Sequence, residues 1–366
     1  MRFSESSFPW VSSLIEDVSK VYDGTHQTPN YTQNGIKFVS VENITDLYSS
    51  KKFISVEDYE RDFKVKPTIN NILMTRIGDI GTPALVLGNE PLAYYVSLAL
   101  LKVHKIHPKF LYHYIQTPYF QKELWKRILH VAFPKKINKN EIGECKIFYP
   151  KSVDEQDKIA TFLSYLEKRI EVQNKIISKY ETLIKGLCDL LFSNTTTVIL
   201  PLKSIATINK GQQINGLALA KTGEYYYLNG GISPSGYVQE YNTSENTISI
   251  SEGGNSCGFV AYNTQKFWSG GHCYTLKIIN TKCRSKFLYF YLKHREKDIM
   301  QLRVGSGLPN IQKRSLENFA VALPSVEKQC YIEHILECIT AKKEIETDLF
   351  GQFQSQKKFL LSKMFI

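Results

Sequence analysis

Five glycine-containing turns carry side chains that could hydrogen-bond to a base or a phosphate. Arg can bridge two acceptors of guanine, Asn or Gln can pair with adenine, and glycine lets a backbone approach its ligand closely. Lys and Arg nearby would contact phosphates. Taken alone, each segment is better explained as a structural turn than as a base contact. The candidate contact residues are Thr25, His26, Thr75, Arg76, Lys135, Lys136, Lys210, Gln212, Asn255, Arg303, Ser306, Lys313 and Arg314.

The motifs of common enzymes do not account for these turns. No Gly-Lys dipeptide occurs, so the phosphate-binding loop of ATPases is absent. Gly305-Ser306-Gly307 lacks the third glycine of a dinucleotide site, and Pro309 would obstruct the helix that should follow. The chain also lacks the Asp-Pro-Pro-Tyr or Asn-Pro-Pro-Tyr tetrapeptide of amino-methyltransferases, and we expect no nucleophile elbow. We therefore expect no catalytic residue here, although a nuclease with an unfamiliar site is an alternative.

Metal and disulfide sites are not expected either. The seven cysteines lie far apart with no Cys-x-x-Cys pair, which disfavours a disulfide framework and a structural zinc site. His104, His107 and the adjacent His272 and Cys273 are too few and too scattered to form a recognisable ligand set. These cysteines are interpreted as reduced thiols, as in a cytoplasmic protein.

The net charge of +11 is unevenly distributed over the 366 residues. Residues 1–150 hold 19 basic against 15 acidic side chains, and residues 194–324 hold 14 against 7. Residues 151–193 and 325–366 are each neutral, with seven and six side chains of either sign. Two basic lobes separated by neutral segments favour a polyanionic ligand for the lobes. General solubility of a basic protein is the alternative.

Both neutral segments follow the heptad spacing of a coiled coil, and the second repeats the first at an offset of 173 residues. An antiparallel pair within the chain would bury both apolar seams, whereas two separate surface helices are the alternative. Polar Lys343, Glu346 and Lys357 interrupt the second seam, so part of its face could serve another subunit. The predicted interface residues are Ile159, Leu163, Leu166, Ile170, Ile177, Tyr180, Ile184, Leu187, Ile332, Leu336, Ile339, Phe350, Phe353 and Leu360.

The lobes show mixed strand and helix patterns, so the fold class is α+β. We predict a buried strand pair from Leu92 to Val103 and one helix from Lys109 through Trp125. The start of that helix recurs after 177 residues, at Lys286, which indicates that the lobes repeat in their second portions and diverge in their first. The predicted organisation is a lobe at 1–150, a helix at 151–193, a lobe at 194–324 and a helix at 325–366. The longest apolar stretch is too short to span a bilayer, and we expect a cytoplasmic protein.

These features together resemble the specificity subunit of type I restriction–modification enzymes, over essentially the whole chain. The helical parts carry the most specific features, Gln156-x-x-Ile159 after Pro150 and Gln329-x-x-Ile332 after Pro324. The lobes contribute the segments VYDGTHQTP at 21–29, GIKFVSVENI at 35–44, GSGLPNI at 305–311 and ALP at 322–324. At the position parallel to residues 305–309 the first lobe has VAFPK at 131–135, without glycine, so no loop role is transferred there.

The resemblance implies two globular α/β target recognition domains, joined and followed by two long helices in an antiparallel coiled coil with a pseudo-two-fold repeat. Each domain would read one half of a bipartite site in double-stranded DNA, and the helices would set the spacer. Two methyltransferase subunits would dock and bring S-adenosylmethionine. This chain itself is expected to bind no cofactor and no metal. A restriction (motor-nuclease) subunit would join them, and no membrane is involved. A standalone DNA-binding or scaffold protein that dimerises through its coiled coil is the alternative.

Overall fold

A computed structural model describes residues 10–193, 197–305, 307 and 309–365. The alternating apolar segments form short strands, and most of them lie in antiparallel sheets. The strands are β1 (Trp10–Leu14), β2 (Ser19–Asp23), β3 (Ile36–Val39), β4 (Phe53–Ile54), β5 (Ile72–Ile77), β6 (Asp79–Leu85), β7 (Leu92–Tyr94), β8 (Leu98–Val103), β9 (Lys146–Pro150), β10 (Val198–Pro201), β11 (Ala206–Lys210), β12 (Tyr225–Leu228), β13 (Gly236–Val238), β14 (Thr247–Ser251), β15 (Val260–Asn263), β16 (Phe267–Ser269), β17 (Cys273–Ile278), β18 (Arg303–Val304), β19 (Asn310–Ile311) and β20 (Ala320–Leu323).

Eight of the ten described α-helices are short, and two are long. The short helices are α1 (Ile15–Val18), α2 (Val56–Asp62), α3 (Pro108–Ile115), α4 (Pro118–Arg127), α5 (Lys139–Gly143), α7 (Ser285–His294), α8 (Glu296–Gln301) and α9 (Lys313–Glu317). The long helices are α6 (Val153–Ser193) and α10 (Val326–Lys363). None of the described helices is both long and apolar enough to cross a membrane.

The chain divides into two compact units, and the division passes through both long helices. The first unit comprises residues 1–174 and 348–366, and the second comprises residues 175–347. Each unit therefore contains one lobe together with part of α6 and part of α10.

The described residues of the first unit form three sheets. Its main sheet is antiparallel, in the order β2-β8-β5-β6. A smaller sheet, β4-β3-β7, includes the parallel pair β3 and β7. The antiparallel pair β1 and β9 joins the start of the lobe to the strand that precedes α6. The segment from Leu92 to Val103 forms two buried strands, β7 and β8, but they lie in different sheets and do not pair with each other as predicted.

The second unit repeats this topology over the whole lobe. Its main sheet has the order β11-β17-β14-β15, its smaller sheet β13-β12-β16 contains the parallel pair β12 and β16, and β10 pairs with β20. The expected divergence of the first portions is therefore wrong at the level of topology. A comparison at one fixed offset misses this repeat, because the offset changes along the chain. Val21 and Ile208 occupy matching positions 187 residues apart, whereas Gln156 and Gln329 are 173 apart.

The predicted helix from Lys109 through Trp125 is two helices, α3 and α4. Pro118 is the first residue of α4, where its missing N–H and fixed φ are tolerated. The side chain of Thr117 caps α4 by accepting a hydrogen bond from the Phe120 amide at 3.3 Å. The proline therefore marks a second helix start within a segment that was predicted to be one continuous helix.

The predicted seam residues lie on the buried faces of α6 and α10. In the first unit, Leu163 at the beginning of α6 shares a core with Leu360 near the end of α10. In the second unit, Leu191 at the end of α6 shares a core with Leu336 near the beginning of α10. The two helices are therefore antiparallel. All fourteen predicted interface residues are buried or half-buried.

The polar positions in the second seam form contacts with α6. Lys343 Nζ lies 3.0 Å from a carboxylate oxygen of Glu181 in the second unit, and Lys357 Nζ lies 2.7 Å from Glu167 in the first. Lys357 also donates to the side-chain carbonyl of Gln116 at 2.8 Å. The structure thus explains these two lysines by ion pairs within each unit, without a further subunit.

Gln156 and Gln329 tie each lobe to its long helix in the same way. Gln156 accepts a hydrogen bond from the His107 amide at 2.7 Å and donates to the Pro150 carbonyl at 2.8 Å. Gln329 accepts from the Arg284 amide at 2.9 Å and donates to the Pro324 carbonyl at 2.9 Å. Both glutamines are buried. The repeated glutamine of the sequence is therefore a structural clamp at the beginning of each helix.

Candidate nucleic-acid interface

The candidate residues of the first unit group around the end of its main sheet. Arg76, in β5, forms an ion pair with Asp23 at the end of β2. Its Nε donates to the Ile137 carbonyl at 3.1 Å, and the Ile137 amide donates back to the Arg76 carbonyl at 3.0 Å. Arg76 is only 5% exposed. A base contact by Arg76 conflicts with this burial, because the guanidinium is already paired within the protein.

Thr75 is also interior, with no exposed surface. Its hydroxyl accepts a hydrogen bond from the Thr82 amide at 2.9 Å and lies 3.4 Å from Asp79. Its predicted base contact conflicts with this burial too. Thr25 is half-buried beside Tyr95, whereas His26 is exposed in the loop that follows.

Gly24 and Gly211 follow the last residues of β2 and β11. A Cβ on Gly24 would lie 2.5 Å from the Tyr94 carbonyl oxygen, and one on Gly211 would lie 2.2 Å from that of Gly270. Any larger residue would displace backbone at either place. These glycines are therefore explained by packing of the chain on itself.

A loop at residues 129–136, here called the first hairpin, carries Lys135 and Lys136 at the surface. The Leu129 amide donates to the Lys136 carbonyl at 2.8 Å, and the Gly78 amide donates to the Lys135 carbonyl at 2.8 Å. Lys135 Nζ lies 4.5 Å from the centre of the Trp125 ring. Both lysines are thus held next to the turn that follows Arg76.

In the second unit, Glu252 organises the corresponding region. Its carboxylate lies 2.7 Å from Lys210 Nζ, accepts a hydrogen bond from the Tyr274 hydroxyl at 3.0 Å and lies 3.5 Å from His272 Nδ1. Burial, together with the bond to Glu252, raises the pKa of Tyr274, which keeps that hydroxyl a donor. Lys210 is therefore held at the surface by a buried carboxylate.

The second hairpin, formed by β18 and β19, is attached to Glu252. The Ile311 amide donates to the Glu252 carbonyl at 2.8 Å, and the Gly254 amide donates to the Pro309 carbonyl at 3.0 Å. Arg303 on this hairpin and Asn255 beside it are both exposed. The structure thus brings Lys210, Asn255 and Arg303 to the same end of the main sheet, whereas Ser306 lies outside the described residues.

The remaining candidates of the second unit are also exposed. Gln212 follows Gly211, and its backbone carbonyl accepts a hydrogen bond from Trp268 Nε1 at 2.8 Å. Lys313 and Arg314 lie in the first turn of α9, where Lys313 is 3.8 Å from Glu317. These cations could contact phosphates.

Several residues at the two sheet ends were not predicted from the sequence. Asp23 pairs with Arg76 in the first unit, and Glu252 pairs with Lys210 and His272 in the second. In each unit only long-range strand pairing brings these partners together. Val131 and Phe133 were set aside because they replace glycines. The sequence does contain a signal that could have identified these two residues, since they form an apolar pair close to Lys135.

One segment has the Gly-x-Ser-x-Gly spacing of a nucleophile elbow, namely residues 254–258 with Ser256 at its centre. An elbow requires a strand-to-helix turn that exposes the serine. Here the segment leads through turns into strand β15, not into a helix. The Gly-x-Ser-x-Gly spacing therefore does occur, contrary to the expectation from the sequence, but this segment lacks the strand-to-helix turn of an elbow. Across the part of the chain that the structure describes, no cluster of three or more potential metal ligands occurs.

Comparison with known proteins agrees with this architecture. The family model of the type I restriction modification DNA specificity domain matches twice, at residues 9–182 and 195–350. The class of protein is thus a two-domain DNA specificity protein. The chain belongs to the type I restriction–modification specificity subunit family.

Individual relatives span part or all of the chain. A protein described as a type I specificity subunit of Mycoplasma pneumoniae is 36% identical over 137 residues, which is 37% of this chain and 36% of that protein. One from Mycoplasma genitalium is 28% identical over 172 residues, 44% of each. The chain thus matches less than half the length of these two relatives. One described as the MjaX specificity subunit of Methanocaldococcus jannaschii is 24% identical over 96% of this chain and 92% of that protein.

Solved structures support the fold. The S subunit of a type I system from M. genitalium superposes with a TM-score of 0.73 and 19% identity, covering 100% of this chain and 98% of that one. A second solved structure, which concerns the complex assembly and conformational transition of the type I restriction–modification system, superposes with a TM-score of 0.57. Its sequence identity is 13%, and the match covers 97% of both chains. At these identities the similarity shows the fold alone.

Proposed function

We propose that this chain is the DNA-recognition subunit of a type I restriction–modification complex, and that each unit reads one half of a bipartite site. One observation carries the proposal. The same sheet end occurs in both units, but its side chains differ: Asp23 and Arg76 in the first match Lys210 and Glu252 in the second. A repeated scaffold whose two copies carry different side chains at the same sheet end suits two different half-sites.

The charges of the lobes support a polyanionic ligand. The first lobe carries a net +4 and the second a net +7, whereas both long helices are neutral. Exposed Lys136, Lys210, Arg303 and Arg314 lie on the lobes. Cations on the lobes would neutralise phosphates and position the units on the duplex, and exposed loop residues would read base edges.

The antiparallel helices would fix the unread gap between the half-sites. They would also dock two modification subunits, which would supply S-adenosylmethionine and the methyl-transfer residues, and a restriction subunit would join for cleavage. The family membership and the continuous helices α6 and α10, each shared by both units, support this part of the proposal. The chain itself would act in the cytoplasm as a non-catalytic subunit.

The experiment uses the full chain co-expressed with its methyltransferase partner and base-resolved mapping of methylated adenine. Arg303→Ala should relax the sequence requirement in one half-site and leave the other unchanged, because one bidentate contact is worth about 1–3 kcal/mol of discrimination. Lys277→Ala is the matched control, since Lys277 is exposed as the next-to-last residue of β17, at the end of the sheet remote from Arg303. Equal relaxation of both half-sites by Arg303→Ala would contradict the assignment of one unit to one half-site.

The spacing role has its own test. Inserting one heptad into α6 and one into α10 at matching positions lengthens each helix by about 10 Å. The gap between the methylated half-sites should then grow by about one to three base pairs. A spacer that stays the same after both insertions would overturn the ruler role while leaving base recognition intact.

A further inference from the structure

The first hairpin presents two apolar side chains at its tip on a fixed base. Two hydrogen bonds fix that base, from the Leu129 amide to Lys136 and from the Gly78 amide to Lys135, both at 2.8 Å. The Ile137 amide adds a third, at 3.0 Å to Arg76. The tip is therefore attached to the main sheet beside the ion pair of Arg76.

Val131 and Phe133 at this tip are fully exposed. Single exposed apolar residues are ordinary on protein surfaces. Here, two entire apolar side chains on one short loop are exposed to solvent. Together they form a projecting apolar group, which is a feature of interaction sites. Trp125 lies at the base of the loop and is itself more than half exposed.

The charge around this tip has one sign. Residues 128–140 contain three lysines and one histidine but no aspartate or glutamate. Lys135 and Lys136, next to the tip, are exposed on the surface. An apolar group flanked by cations is complementary to a duplex, in which apolar base faces lie between two rows of phosphates.

The second hairpin has different chemistry at the same positions. Ile137 and Ile311 match, because each donates its amide to the sheet-end residue, Arg76 or Glu252. Counting back from them, Gly305 and Gly307 stand where the first hairpin has Val131 and Phe133. Gly305 has a φ of 94°, a conformation that favours glycine. The second hairpin therefore has no apolar side chain at these two places.

We propose that Phe133, supported by Val131, is a wedge that inserts between adjacent base pairs of one half-site, with Lys135 and Lys136 on the flanking phosphates. Apolar wedges of this kind unstack a base step and kink the duplex. The inference rests on the proposed DNA-recognition function and adds a specificity mechanism to it. Because a flexible step is easier to unstack, the first unit would select its half-site partly by deformability, whereas the second unit would not.

The test uses the full chain assembled with its methyltransferase on duplexes that carry the mapped site. 2-Aminopurine, which pairs with thymine, replaces one adenine at a time on either strand in and beside both half-sites, leaving out the methylated adenines. A fluorescence increase should occur at one step of one half-site. Phe133→Ala should abolish that increase and weaken specific binding by about 5- to 150-fold, the loss expected for one stacked aromatic side chain.

Leu87→Ala is the matched control, since Leu87 is another exposed apolar residue of the first unit, and it should change neither readout. Phe133→Trp should preserve the fluorescence increase. The wedge is overturned if the wild type shows no increase at any step, or if Phe133→Ala keeps both affinity and fluorescence. Loss of the methyltransferase from the Phe133→Ala complex would show instead that the tip contacts that protein, which also overturns the proposal. Absence of any sequence-specific binding would contradict the proposed function itself, a separate outcome.

Discussion

Arg76 and Glu252 occupy the same position in the main sheets of the two units and carry opposite charges. Ala99 pairs with Met74 and Asp23 in the first unit, as Tyr274 pairs with Ile250 and Lys210 in the second. Arg76 and Glu252 stand two residues beyond Met74 and Ile250. Each forms an ion pair with the last residue of the next strand but one, Asp23 of β2 or Lys210 of β11. The ion pair is therefore retained with its polarity reversed.

The first prediction concerns this reversal. Arg76→Glu should destabilise the first unit by about 3–5 kcal/mol, because it breaks a largely buried pair and sets two carboxylates together. Adding Asp23→Lys should recover much of that loss, since it reproduces the polarity of Lys210 and Glu252. Hydrogen exchange of the β2 and β5 amides measures the effect. A double variant that is no more protected than the single variant would show that the pairing is unimportant.

The second prediction concerns the glutamine clamps. Gln156→Ala should cost about 2–4 kcal/mol, because it leaves a buried amide and a buried carbonyl without partners. Gln329→Ala should cost a similar amount in the second unit. Thermal and urea unfolding measure both. Gln354→Ala, at an exposed position of α10, is the control and should change stability by less than about 0.5 kcal/mol.

The third prediction concerns pH. Burial, opposed by Glu167 and assisted by Lys357 and Lys109, lowers the pKa of His113 to about 4. The folded state thus favours the neutral ring, which has no exposed surface and lies 3.1 Å from the Ser164 hydroxyl. Since the unfolded ring takes up a proton near pH 6.5, stability is constant above that pH and falls as the pH drops toward 4.

The loss over this interval should be about 3 kcal/mol. His113→Phe should remove that share of the pH dependence, because phenylalanine stands at the matching position 290 of the second unit. Unfolding free energies at pH 7, 6, 5 and 4.5 provide the comparison. Parallel curves for the wild type and the variant would mean that His113 does not carry the effect.

The fourth prediction concerns the seam. Lys343 and Glu181 are both partly exposed, so their ion pair contributes at most about 1 kcal/mol. A leucine at 343 would add apolar burial at a heptad position and leave Glu181 solvated. Lys343→Leu should therefore raise the melting temperature by a few degrees. Lys342→Leu, at an exposed neighbouring position, should not.

The helices could be predicted from the sequence because heptad spacing is a local pattern. Even the polar residues Lys343 and Lys357 occupy heptad positions, and both form ion pairs with glutamates of α6 across the seam. The contact residues could be predicted only in part. Thr75 and Arg76 look like a polar turn in the sequence, but long-range strand pairing buries them against Asp23 and Thr82, and no local signal reveals this.

The lobe repeat shows a related limit. The main sheets share one topology, yet the offset between matching residues changes from 187 at Val21 to 174 at Ile137, because the connecting loops differ in length. A comparison at a fixed offset therefore misses the similarity of the first portions. Backbone pairing recovers it, since the register is set by strands and not by loop length.

The most direct test of the central claim is base-resolved mapping of adenine methylation in the source genome, with this gene intact and deleted. We expect deletion to remove one split motif, two short half-sites around a fixed gap, and restoration of the gene to return it. An unchanged methylome, in cells shown to produce the chain together with its methyltransferase, would contradict the assignment of DNA recognition to this protein.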